Sequence, residues 1–300
     1  MGPVAETKPG IDQSAAVRIE RILCPVDFSD ISAKAYSYAQ SIACHYRAKL
    51  VVQHVVELWQ YPSCYYQTEL AYYEEYRRTI LSNTQDQLRQ FLGMYGGVQP
   101  ECVVEESAAG DAILAMAQAR GINLIVMGTH GRRGFDHLML GSVTERVLRH
   151  ASCPVLAIPG RSAADQVQVH QILCCVDFSA HSQRALEHAL SVAAAYDADL
   201  TVLHVLDNLV ESADVAQETD AAMEQLQKLL APSAFPAARL RLEVRLGTAY
   251  REILDLAAER ESDLIVTGVR GRNSLELAVF GSTTYRLIQL FHGPVLTAPI

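Results

Sequence analysis

The chain is a tandem duplication, and that restricts its fold more than any other feature. Residues 19–57 lie over residues 169–207 at an offset of 150 without a gap, and 18 of the 39 positions are identical. Roughly 6% identity is expected by chance. The shared blocks include Ile22-Leu23-Cys24 with Ile172-Leu173-Cys174, Val26-Asp27-Phe28-Ser29 with Val176-Asp177-Phe178-Ser179, and His54-Val55 with His204-Val205. From Gly128 onward the offset becomes 140, pairing Gly128 with Gly268, Gly131 with Gly271, Gly141 with Gly281, Ser142 with Ser282 and Pro154 with Pro294. The ten extra residues of the first half fall between Val55 and Gly128. A chain of 300 residues has room for two such units, each with its own core. The reading is a polar, disordered tail over 1–18, one domain over 19–160 and a second over 168–300.

Each copy alternates strand and helix signals. In the first, residues 21–26 form a short apolar run suited to a buried strand, and 30–46 follow with Ala35, Tyr38, Ala39, Ile42 and Tyr46 at helical spacing. Further strands are expected at 50–56, 101–105, 123–127 and 154–158, with helices at about 69–92, 110–120 and 142–150. The second copy repeats this, with strands at 172–176, 200–206, 240–246, 264–267 and 295–298 and helices at 182–196, 213–230, 250–259 and 283–291. Continuous apolar strands separated by helices imply a mostly parallel sheet covered on both faces. The expected class is therefore α/β: two tandem doubly wound domains, each a five-stranded sheet flanked by helices. In such sheets ligands sit beyond the carboxyl ends of the strands, where the strand order switches. The aspartate, the His-Val pair and a glycine loop all fall at such ends, so each copy should gather them in one crevice.

Charge and composition exclude several classes. The formal charge is -9, with 14 basic and 16 acidic residues in 1–160 and 11 and 18 in 161–300. A nucleic-acid binder normally carries a basic excess. No apolar run approaches the roughly 20 residues that span a bilayer, and the N-terminus has no apolar segment of a secretory signal. The seven cysteines show no CxxC or Cys/His ligand spacing. They read as reduced and mostly buried in a cytoplasmic protein, with Cys64 as the candidate exposed thiol.

The glycine loops carry the chemistry. Gly128-Thr-His-Gly131, nine residues, then Gly141-Ser142 opens a helix; Gly268-Val-Arg-Gly271, nine residues, then Gly281-Ser282 does the same. Glycine lets backbone approach a ligand closely, and a helix N-terminus offers free N–H groups and partial positive charge to phosphate. Ser142 with Glu145 three residues on suggests a capping box, which the second copy lacks because Tyr285 stands there. Tight strand-to-helix turns also use glycine for purely structural reasons, and duplication copies those too. Neither the P-loop Gly-Lys-Ser/Thr nor GxGxxG is present.

The chain resembles the universal stress protein family in a tandem two-domain form, and in particular its ATP-binding branch. The resemblance covers nearly everything after the tail and rests on G-2x-G-9x-G-(S/T), matched by both loops, with IVMGTHG and LGSVTE around the first. It implies that Asp27 and Asp177 lie on the nucleoside side of ATP, and that Val55 and Val205 meet adenine through their backbone. It further implies that Gly128, Gly131, Gly141 and Ser142, with Gly268, Gly271, Gly281 and Ser282, cradle ribose and phosphates. The loop histidine of the family is kept as His130 and replaced by Arg270. Mg²⁺ is expected with the triphosphate, held mostly by phosphate oxygens and water. The fifth strands of the family pair two domains about a pseudo-two-fold axis, so an internal pairing is expected here, and a homodimer beyond it is conceivable.

Each residue also has a plainer reading. Asp27 and Asp177 would suit helix N-caps, His54 and His204 satisfied core positions, and Arg132, Arg133 and Arg272 a solvated loop face. The stretch 59–76, with Trp59, Tyr61, Tyr65, Tyr66, Tyr72, Tyr73 and Tyr76, lies in the insertion and reads as helix packing or as a surface for a protein partner. Neither loop is accompanied by an evident general base or nucleophile. The leading expectation is an ATP-binding stress or regulatory protein with one site per domain; the alternatives are a slow ATPase and a partner-binding module with vestigial sites.

Overall fold

The computed structural model describes residues 18–57, 67–131, 140–160, 169–206, 215–269 and 281–299. The first half runs β1 (Arg21–Pro25), α1 (Asp30–Tyr46), β2 (Lys49–Val56), α2 (Gln67–Gly93), β3 (Glu101–Glu106), α3 (Ala109–Ala119), β4 (Leu124–Gly128), α4 (Ser142–His150) and β5 (Val155–Ile158). The second runs β6 (Gln171–Cys175), α5 (Ala180–Tyr196), β7 (Asp199–Leu206), α6 (Val215–Leu230), β8 (Leu240–Leu246), α7 (Ala249–Glu259), β9 (Leu264–Gly268), α8 (Ser282–Leu290) and β10 (Val295–Ala298), with a 3₁₀ turn at Ala237–Arg239. The expected elements are all present, and among the described residues their ends shift by no more than two positions; residues 213–214, expected at the start of α6, lie outside the described residues.

The strand order is β3-β2-β1-β4-β5-β10-β9-β6-β7-β8, one ten-stranded sheet. Within each half every pairing is parallel. The halves join where β10 meets β5 antiparallel, with Leu296 opposite Leu156. The two five-stranded sheets thus share one ladder, and their outer edges are β3 and β8. At the seam Leu156 and Leu296 are 6% and 5% exposed, and burying each such side chain contributes about 2 kcal/mol.

The alternation of strand side chains sorts the core into two layers. Ile22, Cys24, Val52 and Val126 pack toward α1 and α2, while Leu23, Val51, Ile125 and Met127 pack toward α3 and α4. Their counterparts in the second half continue both layers across the seam. Each half also fastens the amino end of its first strand: Asn123 Oδ1 accepts the Glu20 and Arg21 N–H groups at 2.9 Å, and Asp263 Oδ2 accepts those of His170 and Gln171 at 2.8 and 2.9 Å. In both halves β1 or β6 is followed in space by β2 or β7 on one side and β4 or β9 on the other. That is the switch in strand order, and it opens a crevice at the carboxyl ends.

Candidate functional site

At the exit of β1 the chain turns sharply. Phe28 stands at φ 64° and Phe178 repeats it at φ 64°. The left-handed conformation costs a bulky residue about 1–2 kcal/mol, and such strain persists where surrounding contacts overdetermine it. Here the contacts are visible. The Phe28 ring stacks on His54 at 4.3 Å between centroids, and Phe178 lies 4.5 Å from His204. His54 Nδ1 and Val26 O are 2.7 Å apart, as are His204 Nδ1 and Val176 O. Each histidine therefore fastens the end of its first strand, in keeping with the satisfied-core reading.

The turn brings Asp27 onto Ser29. Asp27 Oδ1 accepts the Ser29 N–H at 3.1 Å and its hydroxyl at 2.5 Å, and Ser29 Oγ in turn accepts the Ser32 N–H at 3.2 Å. Asp177, Ser179 and Ser182 repeat this at 3.0, 2.6 and 3.3 Å. The N-caps of α1 and α5 are therefore Ser29 and Ser179, not the aspartates. Relieved of capping, Asp27 points its second oxygen across the switch point. A methyl group placed on Gly131 would lie 2.5 Å from Asp27 Oδ2. The aspartate after β1 and the glycine loop after β4 thus meet in one place.

Val55 is set by strand geometry. In a parallel strand the N–H and C=O of one residue turn to one side, and those of the next to the other. The Gln53 carbonyl accepts Val26 N–H at 2.8 Å, toward β1, and the Val56 carbonyl accepts Ser107 N–H at 3.3 Å, toward β3. Val55 therefore turns its polar backbone to the β1 side, where the pairing has already ended at Pro25 opposite Gln53. Val205 has the same outlook: Val176 N–H bonds to Leu203 O, Gly247 N–H to Leu206 O, and the pairing ends at Cys175 opposite Leu203.

The glycines divide by role. Gly128 and Gly268 make room for the first helix of each half. A methyl group on Gly128 would lie 2.7 Å from Ile31 Cγ2, and one on Gly268 would lie 2.8 Å from His181 Cβ and 3.0 Å from its carbonyl carbon. Their carbonyls accept the Thr144 and Thr284 hydroxyls at 2.8 and 2.9 Å, which tie α4 and α8 to the strand ends. Gly141 N–H bonds back to Thr129 O at 2.9 Å and Gly281 N–H to Val269 O at 3.2 Å. His130 folds onto the loop, with Nδ1 2.9 Å from Thr129 Oγ1.

The capping box is not formed. Gly141 and Gly281 are the N-caps of α4 and α8, and neither provides a side-chain cap. Ser142 is the exposed first helical residue, and Glu145 pairs instead with Arg149 one turn along. Both helices consequently present first-turn N–H groups without a side-chain cap, the arrangement that receives anions. The asymmetry expected from the box disappears. Arg270, Gly271, Arg132, Arg133, Arg272 and Cys64 lie outside the described residues, as do Trp59, Tyr61, Tyr65 and Tyr66. Among described thiols Cys44 is the exposed one. Burial pushes the Cys24 and Cys175 thiols beneath the crevices far up, so they stay protonated.

The model of the universal stress protein family matches residues 18–159 and again 168–299. The chain belongs to the universal stress protein family. A universal stress protein of Mycolicibacterium smegmatis is 26% identical over 285 residues, 92% of this chain and 95% of that protein. One from Methanocaldococcus jannaschii is 30% identical over 141 residues, 46% of this chain and 81% of its own. Among solved structures, a universal stress protein from Archaeoglobus fulgidus superposes with TM-score 0.68 at 22% identity, over 94% of this chain and 99% of that one. The fold of that structure is the fold described above. The structure places Asp27, Val55, Gly128 and Gly141, with Asp177, Val205, Gly268 and Gly281, at the strand ends and helix starts where the sequence pattern expects them. Sequence reading missed Phe28, Ser29 and Thr144 with their counterparts Phe178, Ser179 and Thr284, although conservation between the two copies marked Phe and Ser within VDFS.

Proposed function

We propose that each half binds ATP in the crevice at its switch point, and that the protein acts as a nucleotide-responsive stress or regulatory protein. The observation that carries this is the meeting of the Asp27 carboxylate with the Gly131 loop, beside strand backbone turned toward the gap and a helix N-terminus without a side-chain cap. The held carboxylate, the strand backbone and the helix N-terminus are repeated in the second half. Each part fits a portion of the nucleotide. Asp27 or Asp177 accepts hydrogen bonds from ribose or base. Val55 or Val205 offers one N–H and one C=O to the edge of adenine, a pairing that favours adenine over a base with the opposite donor pattern. The Gly131 backbone and the first-turn N–H groups of α4, beginning at the exposed Ser142, supply donors to phosphate, while Gly141, whose own N–H is bonded to Thr129 O, lets the phosphate approach closely. Gly271, Gly281 and Ser282 are assigned the same roles in the second half. His130 in one loop and Arg270 in the other are assigned to the phosphates. Mg²⁺ would enter with the triphosphate and be held mostly by its oxygens and water.

Calorimetric titration with Mg-ATP tests the reading. The wild type should take two equivalents, Asp27→Ala one, Asp177→Ala one, and the double variant none at about 1 mM nucleotide, the range of weak specific binding. Two equivalents in all four proteins, or no binding by folded wild type, overturns it.

A further inference from the structure

A second cavity lies at the opposite end of the sheet from the crevices, on the axis relating the two halves. Its walls come from the amino ends of the strands and the last turns of α1 and α5, including Leu124, Leu156, Leu264 and Leu296. No Asp, Glu, Lys or Arg is among its described lining residues. Tyr46 and Tyr196, equivalent positions of the two copies, converge there with rings 6.1 Å apart. Both hydroxyl oxygens are buried, and among the described residues neither has a hydrogen-bond partner. A buried polar group left unsatisfied is costly and calls for an explanation. Duplication has brought two such groups to one apolar space.

We propose that this cavity is a ligand site for a small neutral molecule with an aromatic body and one hydrogen-bonding oxygen, of the phenol class, whose oxygen engages Tyr46 and Tyr196. The apolar walls select the body and the two hydroxyls select the oxygen. The aromatic preference follows from the rings in the wall: Tyr46 and Tyr196 stand edge-to-face, and Tyr38 belongs to the same lining. Neutrality follows from the electrostatics. Burial pushes the Tyr46 hydroxyl up to about 12 and that of Tyr196 further up, while His188 in the same wall is pushed down to about 4, first by burial and then by Arg184. None of the three supplies a charge at neutral pH to hold an ion. The cavity measures about 50 Å³ and is partly open, against roughly 150 Å³ for one that encloses benzene. The oxygen end of the ligand therefore seats inside, with the remaining ring in the mouth.

The site does not depend on nucleotide binding, and its test is separate. The full chain is titrated with 4-fluorophenol and with fluorobenzene, followed by fluorine NMR. Wild type should bind the phenol about fivefold or more tightly than fluorobenzene, the effect of one or two hydrogen bonds. In the Tyr46→Phe, Tyr196→Phe double variant the ratio should fall to about one, and Val192→Trp, which fills the space, should lose both ligands. Because the hydroxyls have no hydrogen-bond partner among the described residues, the double variant should melt no lower than wild type. No saturable binding of 4-fluorophenol by folded wild type, a ratio unchanged in the double variant, or a lower melting temperature for that variant overturns the proposal.

Discussion

Asp27 owes its direction to Ser29, which caps α1 and grips the carboxylate with the same oxygen. Two tasks on one hydroxyl make a sharp prediction. Ser29→Ala should lower stability by about 1 kcal/mol, the usual effect of losing an N-cap, and should also weaken nucleotide binding in the first site, leaving the second unchanged. Ser179→Ala should do the reverse. Urea unfolding together with titration checks both, and a stability loss without any site-specific loss of binding would show that Ser29 acts on the helix alone. Sequence reading offered Asp27 itself as a cap because Asp and Ser are both good caps and stand two residues apart. What decides between them is the left-handed turn at Phe28, and nothing in a phenylalanine announces a positive φ.

At the scale of elements, the legible parts were those fixed by local pattern. The bounds of α1 and α4 emerged at the residues expected, Asp30–Tyr46 and Ser142–His150, because apolar periodicity and the flanking turn residues agree. What stayed hidden depends on how far a neighbour extends. Val55 faces a gap because β1 stops at Pro25, and the residues of β2 alone carry no record of that. The glycines at the ends of β4 and β9 also make room for the first helix of each half, a packing role that the spacing of the loop does not announce. Gly268→Ala would press on backbone atoms of His181 and Ser182 at the start of α5, so it should cost about 1–3 kcal/mol, as overpacking does. Gly128→Ala meets chiefly the Ile31 side chain, which can rotate, and should cost less. Denaturant midpoints of the two variants give the comparison; equal losses would mean that Ile31 is as immovable as backbone.

At the scale of the molecule, duplication produced one sheet where the pattern of each copy predicted five strands. The seam follows from what the fifth strands lack: each is flanked by a parallel partner on one side, and its other edge is covered only by the opposite copy. The two copies did not diverge evenly around that seam. Tyr38 in α1 corresponds to His188 in α5, so an imidazole stands partly buried where the first half has a phenol. Burial, with a smaller contribution from Arg184, lowers His188 from 6.5 to about 4. The unfolded chain therefore takes up a proton there that the folded chain refuses. Its contribution is complete above pH 6.5 and is lost as pH falls toward 4. Replacing it with an apolar ring should remove this dependence. Relative to a His188→Phe variant, the wild type should lose about 2 kcal/mol between pH 7 and pH 5. Because the sheet and both core layers run unbroken across the seam, that loss should appear in a single unfolding transition of both halves. A pH-independent difference between the two proteins would place His188 in water, and a separate acid-labile transition for the second half would show that the ladder between β5 and β10 does not couple them.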